Sequence, residues 1–209
     1  MLKTMKKIIF SLMMMAIGTT VQAQSLWDTS KPDERFTFGL KAGVNFASTD
    51  TEYANSTRTG FHLGGTVDYN IVKCISLSSG ITFTQKGFKS NFGKADAYYL
   101  QVPVLAAYHF EAPTGVKFII NAGPYFAYGI GGKVSYMPSD VMFDYDFHQD
   151  SFGKRGFFND FDMGLTAGVY VQIAKVLFGF NYELGLSDMA RVYSQYHNRN
   201  AAFSVGYQF

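Results

Sequence analysis

The sequence is poor in cysteine and in charge, and each scarcity excludes a class of protein. Its single cysteine, Cys74, has no partner in the chain, so an internal disulfide is excluded. Only 16% of the 209 residues are charged, with 18 basic and 16 acidic side chains. Nucleic-acid binding requires a basic surface, which this composition does not supply. We therefore expect no nucleic-acid partner.

Long apolar runs are also missing. The N-terminal apolar stretch, Ile8 to Gly18, is shorter than the about 20 residues that a membrane-spanning helix needs, which argues against the alternative of a membrane anchor. Lysines precede this stretch and small residues end at Ala23, which is the layout of a secretory signal peptide. We predict cleavage between Ala23 and Gln24, so residues 1–23 are the signal peptide and residues 24–35 a polar periplasmic leader.

Aromatic residues and glycine are abundant, at 17% and 21 residues, and suit a chain of many short strands. From Phe36 onward, polar and apolar residues alternate with a period of two, as in strands that have two chemically different faces. This pattern predicts one domain, residues 36–209, with eight strands. The predicted segments are 36–47, 59–70, 74–87, 97–110, 116–128, 160–173, 177–187 and 199–209.

Each segment has one apolar face and one face of polar or small residues. In the segment 160–173, Phe161 and Leu165 share the first face, whereas Asp162 and Thr166 share the second. A soluble barrel would place the apolar face inside. Eight strands enclose a space only just wide enough for side chains, which Phe, Tyr and Leu would overfill. Aromatic residues also gather near strand ends, as in the girdles of membrane barrels. We therefore predict an all-β fold, an eight-stranded antiparallel transmembrane β-barrel of the Gram-negative outer membrane with its apolar face toward outer membrane lipids.

The connections alternate in length. Long ones are predicted at 48–58, 88–96, 129–159 and 188–198, and short ones at 71–73, 111–115 and 174–176. Outer-membrane barrels carry long loops outside and short turns on the periplasmic side. This count predicts that both termini are periplasmic.

Two prolines, Pro103 and Pro124, fall inside predicted strands, although proline removes a donor from the hydrogen-bond ladder. If the turn between these strands centres near Pro113, the two prolines lie almost opposite each other. We expect a bulge or a ladder gap there, because one shared irregularity costs less than two separate ones.

Several stretches resemble the PorT-like family of small outer membrane β-barrels. The resemblance runs in order over nearly all of the mature chain and implies the fold and location described above. It implies no particular activity, because most members of that family have no assigned activity. A role in protein secretion is not implied either, because no residue motif is associated with that role. The stretches are FGLKAGVNFA at 38–47, ITFTQKGFK at 81–89, YYLQVPVLAAYHF at 98–110, AGPYFAYGIGGK at 122–133, DFDMGLTAGV at 160–169 and FNYELGLSDM at 180–189.

The C-terminal segment, SVGYQF, has apolar or aromatic residues at alternating positions and ends on an aromatic residue. It is similar to the signal by which the barrel-assembly machinery recognises its clients, which we expect to be a partner. The residues that would form this assembly signal are Phe203, Val205, Tyr207 and Phe209.

Charged and polar residues on the inward face predict a polar plug in the lumen, because buried charges must pair and eight strands leave no continuous water channel. Lys41 and Glu183 are expected near mid-barrel, and the others toward the outer mouth. A gated pore or a proton-linked site is the alternative. The predicted plug residues are Lys41, His62, Lys86, Asp162 and Glu183.

The connection 129–159 mixes acidic and aromatic residues. A calcium site is conceivable there, but the spacing lacks the glycine and terminal glutamate of an EF-hand loop, so we predict no metal. Long loops in compact domains are often functional, and we expect this one to contact a protein partner.

The four histidines lie on different segments without a recognisable nucleophile partner, so we predict no catalytic residues, no cofactor and no enzyme activity. The expected function is that of an envelope component, or of a loop-mediated interaction or secretion accessory protein. A small channel for a hydrophobic or small polar solute is the alternative.

Overall fold

The computed structural model describes residues 27–49, 56–90, 93–136, 147–150, 159–187 and 198–209. Within these ranges no helix is long and apolar enough to cross a membrane. The predicted cleavage site at Ala23 and Gln24 lies outside the described residues. The described strands are β1 Phe36–Thr49, β2 Ser56–Val72, β3 Ile75–Ser90, β4 Gly93–Glu111, β5 Val116–Tyr136, β6 Phe147–Asp150, β7 Phe161–Ile173, β8 Val176–Gly185 and β9 Asn198–Gln208.

Eight of these strands close into an antiparallel barrel. Each pairs with the next barrel strand along the chain, β5 pairs with β7, and β9 returns to pair with β1. Closure leaves no unpaired edge in the wall, which removes the hydrogen-bond donors and acceptors that an open sheet exposes. The predicted eight-stranded antiparallel barrel is confirmed.

The apolar face of the strands lies on the outside. Along β7, exposed and buried residues alternate from Phe161 onward, so Leu165 is 50% exposed whereas its neighbour Thr166 is 5% exposed. Phe and Leu side chains on other strands follow the same rule, and the largest set of buried residues is polar. This arrangement is the inverse of a soluble barrel and provides the apolar outer surface that lipid requires.

The start of β1, the end of β9 and the short turns share one end of the barrel, which we call the short-turn end. Phe36 at the start of β1 pairs with Tyr69 near the end of β2, and Gln208 at the end of β9 pairs with Gly39. The connections β2–β3, β4–β5 and β7–β8 turn at this end within a few residues.

At the opposite end, the strands run further than the alternation predicted. β3 continues to Ser90, β4 begins at Gly93 and β5 continues to Tyr136, so the connection predicted at 88–96 is mostly strand, as is the beginning of 129–159. The short strand β6 pairs with the last residues of β5. We call this part the outer sheet, residues 87–90, 93–97, 132–136 and 147–150. The stretches 87–97 and 129–136 are rich in glycine and polar residues, which are also typical of loops, so the sequence pattern did not identify them as strand.

The predicted irregularity at the two prolines is present as a ladder gap. Between β4 and β5 the register passes from Pro103↔Tyr125 to Ala106↔Ala122 with no pair in between and no shift. The carbonyl of Pro103 instead accepts a hydrogen bond of 2.8 Å from Ser79 Oγ. The register shift between these strands lies elsewhere, between Tyr98 and Tyr99.

Candidate functional site in the barrel lumen

The lumen is lined by the inward residues of all eight barrel strands, and most of these residues are polar. Alternation along each strand puts every second side chain inside, so the polar face predicted from the sequence becomes the buried one. The buried polar residues are Asn45, His62, Ser76, Thr82, Thr84, Lys86, Gln101, Asn121, Asp162, Thr166, Gln172, Asn181, Glu183, Asn200 and Ser204.

An ion pair between Lys86 on β3 and Glu183 on β8 crosses the lumen. Lys86 Nζ lies 2.8 Å from Glu183 Oε2. The same carboxylate accepts hydrogen bonds from Gln101 Nε2 at 2.7 Å and from Asn200 Nδ2 at 3.0 Å. A buried ion pair is stable only when its remaining hydrogen-bonding capacity is also used, and Glu183 meets that condition.

Two tyrosines pack against this pair. The Lys86 ammonium lies 4.6 Å from the ring centroid of Tyr125 and 5.8 Å from that of Tyr99, and both tyrosines are fully buried. An ammonium over an aromatic face gains cation–π attraction that increases when water is excluded. Gly164 makes room for Tyr125, since a Cβ there would lie 2.7 Å from the Tyr125 ring.

Asp162 joins the same cluster from β7. Its carboxylate accepts hydrogen bonds from Tyr125 Oη at 3.3 Å and from Ser187 Oγ at 2.7 Å. Ser187 follows the end of β8, at the end of the barrel opposite the short turns. Asp162 therefore lies between the two buried tyrosines and the end of the barrel opposite the short turns.

His62 belongs to a separate hydrogen-bonded group. Its Nδ1 lies 2.7 Å from Asn45 Oδ1, and its Nε2 lies 2.9 Å from Ser204 Oγ. Asn45 Nδ2 donates to Thr84 Oγ1 at 2.7 Å, which leaves Asn45 Oδ1 as the acceptor for a proton on His62 Nδ1. A Cβ on Gly43 would lie 2.6 Å from the imidazole, so the histidine requires a glycine opposite it.

Lys41, the remaining predicted plug residue, is not part of the Lys86–Glu183 ion pair. Glu183 contacts Lys86 rather than Lys41, and among the described residues no carboxylate lies within 4.0 Å of Lys41 Nζ. Asp68, the other nearby carboxylate, accepts hydrogen bonds from Ser78 Oγ and from Gln208 Nε2. Lys41 faces two small cavities of about 60 and 30 Å³, one on the Asp68 side and one on the Glu183 side.

A larger cavity of about 560 Å³, which we call the mouth cavity, lies at the short-turn end, and the leader forms part of its wall. The leader is held by backbone hydrogen bonds: Cys74 N donates to Asp28 O and Lys73 N to Ser30 O, both at 3.1 Å. Trp27 lies against Tyr108, with ring centroids 5.8 Å apart. The leader therefore docks on the barrel rim, which its composition did not predict.

Tyr99, Tyr125, Asn45 and Asn200 are lumen residues that the predicted plug omitted. Their signal was the strand parity, because Tyr99 shares a face with Gln101 and Tyr125 shares a face with Asn121. The prediction assigned the face rich in Phe, Tyr and Leu to the outside, because these side chains would overfill an eight-stranded lumen. A glycine on the facing strand, such as Gly164, marks the places where a large side chain turns inward.

The other predicted residues are accounted for as follows. The side chains of Phe203, Val205, Tyr207 and Phe209 are exposed on the outer face of the last strand. Residues 137–146 and 151–158 of the predicted loop, with most of the acidic residues considered for calcium, lie outside the described residues. Within the described ranges, no group of three or more His, Cys, Asp or Glu side chains is placed to hold a metal ion.

A closed eight-stranded barrel with an apolar outer face and a polar lumen defines a transmembrane β-barrel. The family model described as "Outer membrane protein beta-barrel domain" matches residues 22–191. The chain belongs to this family, and it is an outer membrane protein. No curated protein matches the sequence.

Similar solved structures include other small barrels. Neisserial surface protein A is 15% identical with a TM-score of 0.45, and the match covers 84% of this chain and 98% of that one. Ail, the attachment invasion locus protein of Yersinia pestis, is 15% identical with a TM-score of 0.43, covering 83% and 97%. OprG of Pseudomonas aeruginosa is 14% identical with a TM-score of 0.41, covering 88% and 99%.

Proposed function

We propose that this outer membrane protein is a non-enzymatic envelope component with an occluded lumen, and that its role lies in contacts made at the ends of the barrel. The observation that carries this proposal is the buried Lys86–Glu183 pair, which crosses the lumen between two fully buried tyrosines. The Glu183 carboxylate also accepts hydrogen bonds from Gln101 and Asn200. A buried ion pair held in this way is costly to separate, so it blocks passage of solutes.

A conductance measurement tests the occlusion. Purified mature protein in a planar bilayer is expected to give no steady conductance. The matched control replaces Tyr99 and Tyr125 with alanine, which removes the two side chains beside the ion pair and is expected to raise conductance in barrels that still fold. Large steady currents from the unmodified protein would contradict the proposal.

The alternative function is that of a small channel, and the three neighbouring cavities favour it. The mouth cavity and the 60 Å³ cavity share His109 and Gln208, and the 60 and 30 Å³ cavities share Lys41. The three cavities thus lie in series between the short-turn end and the ion pair. Flux of a small solute into protein-containing liposomes, with no flux for the empty liposomes, would favour this function.

The absence of enzyme activity is part of the proposal. The arrangement most like a catalytic pair is Ser76 Oγ with His109 Nε2 at 2.6 Å. Ser76 is only 1% exposed, so its hydroxyl is not accessible to a substrate, and no described carboxylate hydrogen-bonds to His109. Nucleophilic catalysis needs both an accessible nucleophile and an oriented base.

The narrower assignment to the PorT-like family rests on the motifs in the sequence, and it favours a role as an accessory protein with a protein partner. We propose that both termini and the docked leader face the periplasm. We propose also that the outer sheet and the connection 129–159 contact the partner, and that the C-terminal strand is the assembly signal.

A loop replacement tests the proposed partner contact. Replacing residues 131–158 with a short glycine-serine linker keeps the Tyr128↔Phe161 register at the top of the barrel wall. We expect the variant to fold and to lose copurification of the partner that the unmodified protein retains. A variant that folds and keeps the partner would exclude this contact surface.

A further inference from the structure

The mouth cavity at the short-turn end has the size and the walls of a ligand site. Its volume of about 560 Å³ falls within the range of about 300–1,000 Å³ that is usual for small-molecule pockets. One wall is the docked leader and the other is the rim of the barrel. The leader wall is acidic, whereas the barrel wall carries two lysines and one glutamate.

The leader wall is acidic. Asp28, Asp33 and Glu34 line the cavity, and Asp33 lies 3.6 Å from Lys73 in an exposed ion pair. Asp28 accepts a hydrogen bond of 2.9 Å from Ser30 N, and hydrogen bonding from Ser30 holds the pKa of this carboxyl below its usual value. Asp28 is therefore ionised, and together with Glu34 it offers negative charge to the cavity.

The barrel wall carries the cationic and imidazole groups. Lys117 at the start of β5 and His109 near the end of β4 line the cavity, and among the described residues no carboxylate lies within 4.0 Å of Lys117 Nζ. Glu111 also lines this wall and is opposite Lys117 in the β4–β5 register. The wall thus offers a lysine that has no direct ion pair in the described structure.

We propose that this cavity binds a small zwitterionic solute of the amino-acid or short-peptide class, with its carboxylate toward Lys117 and its ammonium toward Asp28 and Glu34. Four carboxylates around the cavity disfavour a multiply charged anion, and the lysines disfavour a polycation. A zwitterion satisfies both walls at once. This site is independent of the occluded lumen, because it lies outside the ion pair.

Trp27 provides the readout, because it is the only tryptophan in the sequence and precedes Asp28. We suggest titrating the folded mature protein in detergent with glycylglycine and following Trp27 fluorescence. The controls are N-acetylglycylglycine, which lacks the ammonium, and glycylglycine amide, which lacks the carboxylate. We expect a saturable change with the zwitterion and at least about tenfold weaker binding of either capped form, a difference of about 1.4 kcal/mol.

Variants locate the site. Lys117→Met is expected to weaken binding about tenfold or more, whereas Lys117→Arg retains it. The matched control is Lys175→Met, which removes a lysine from the β7–β8 turn at the same end of the barrel but outside the cavity. Heat-dependent gel migration confirms folding of each variant. Equal binding of the capped peptides, no saturable change, or unaltered binding by folded Lys117→Met would overturn the proposal, and none of these outcomes bears on conductance.

Discussion

Lys86 and Glu183 show what a single charged residue requires inside a narrow barrel. Each is buried, and each has the other as its counter-ion. Removing one member leaves the other charged in a poorly solvated place, which costs more than the pair contributes when intact. The loss of stability can be measured with a variant that removes one charge and a double variant that removes both.

Glu183→Gln is expected to lower the free energy of unfolding by about 3–5 kcal/mol, because Lys86 loses its counter-ion while the amide keeps the side-chain volume. Urea titration of the protein in liposomes measures the change. The double variant Lys86→Met, Glu183→Leu removes both charges and is expected to recover most of the loss. We expect no conductance from Glu183→Gln, since Tyr99 and Tyr125 still fill the lumen.

A second residue-scale prediction concerns Ala174 in the two-residue turn between β7 and β8. Its φ of 54° lies in the left-handed region, where a Cβ is unfavourable and glycine is not. Ala174→Gly is expected to stabilise the protein by about 0.5–1 kcal/mol in the same urea titration. The control is Lys175→Gly, at a neighbouring position without positive φ, which is expected to destabilise. A loss of stability in Ala174→Gly would contradict the assigned turn conformation.

At the scale of the strand, alternation determines which face meets lipid. Val169 lies near the middle of β7 and Ile173 at its short-turn end, and both are exposed on the outer face. Arginine on a lipid-facing position is costly at the bilayer midplane and tolerated near the interface. The two positions therefore make a matched pair.

Val169→Arg is expected to lower the free energy of unfolding by about 2–4 kcal/mol, and Ile173→Arg to lower it by about 0–1 kcal/mol. Folding into liposomes, followed by Trp27 fluorescence across a urea series, measures both. Equal costs at the two positions would show that the outer face does not span a hydrocarbon layer of the expected thickness.

The strands also show which parts of the fold the local sequence pattern predicts and which parts it does not. Period-two alternation located all eight barrel strands, and the pair Pro103 and Pro124 correctly located the ladder gap. The alternation did not predict the outer sheet, where β5 continues to Tyr136 and β6 forms, because glycine and polar residues in these stretches are also typical of loops.

For the whole molecule, closure of the wall is the feature with the clearest consequence. A barrel with no free edge pairs its backbone groups within the wall, here with a gap at Pro103 and Pro124. Detergent therefore does not open the wall readily at room temperature. We expect the unboiled protein to migrate differently from the boiled protein in SDS gels. Glu183→Gln should convert to the unfolded band at a lower temperature than the unmodified chain. A single band at all temperatures would argue against a closed barrel.

The sequence by itself determined the number of barrel strands, the face of each that meets lipid and the end that carries the short turns. These properties depend on alternation and on connection length, which are local. Only the tertiary structure decided that Glu183 pairs with Lys86 rather than Lys41, that Tyr99 and Tyr125 turn inward, and that the leader closes one wall of a cavity. Those outcomes depend on strand tilt and on the register between strands far apart in the chain, which set the height at which inward side chains meet.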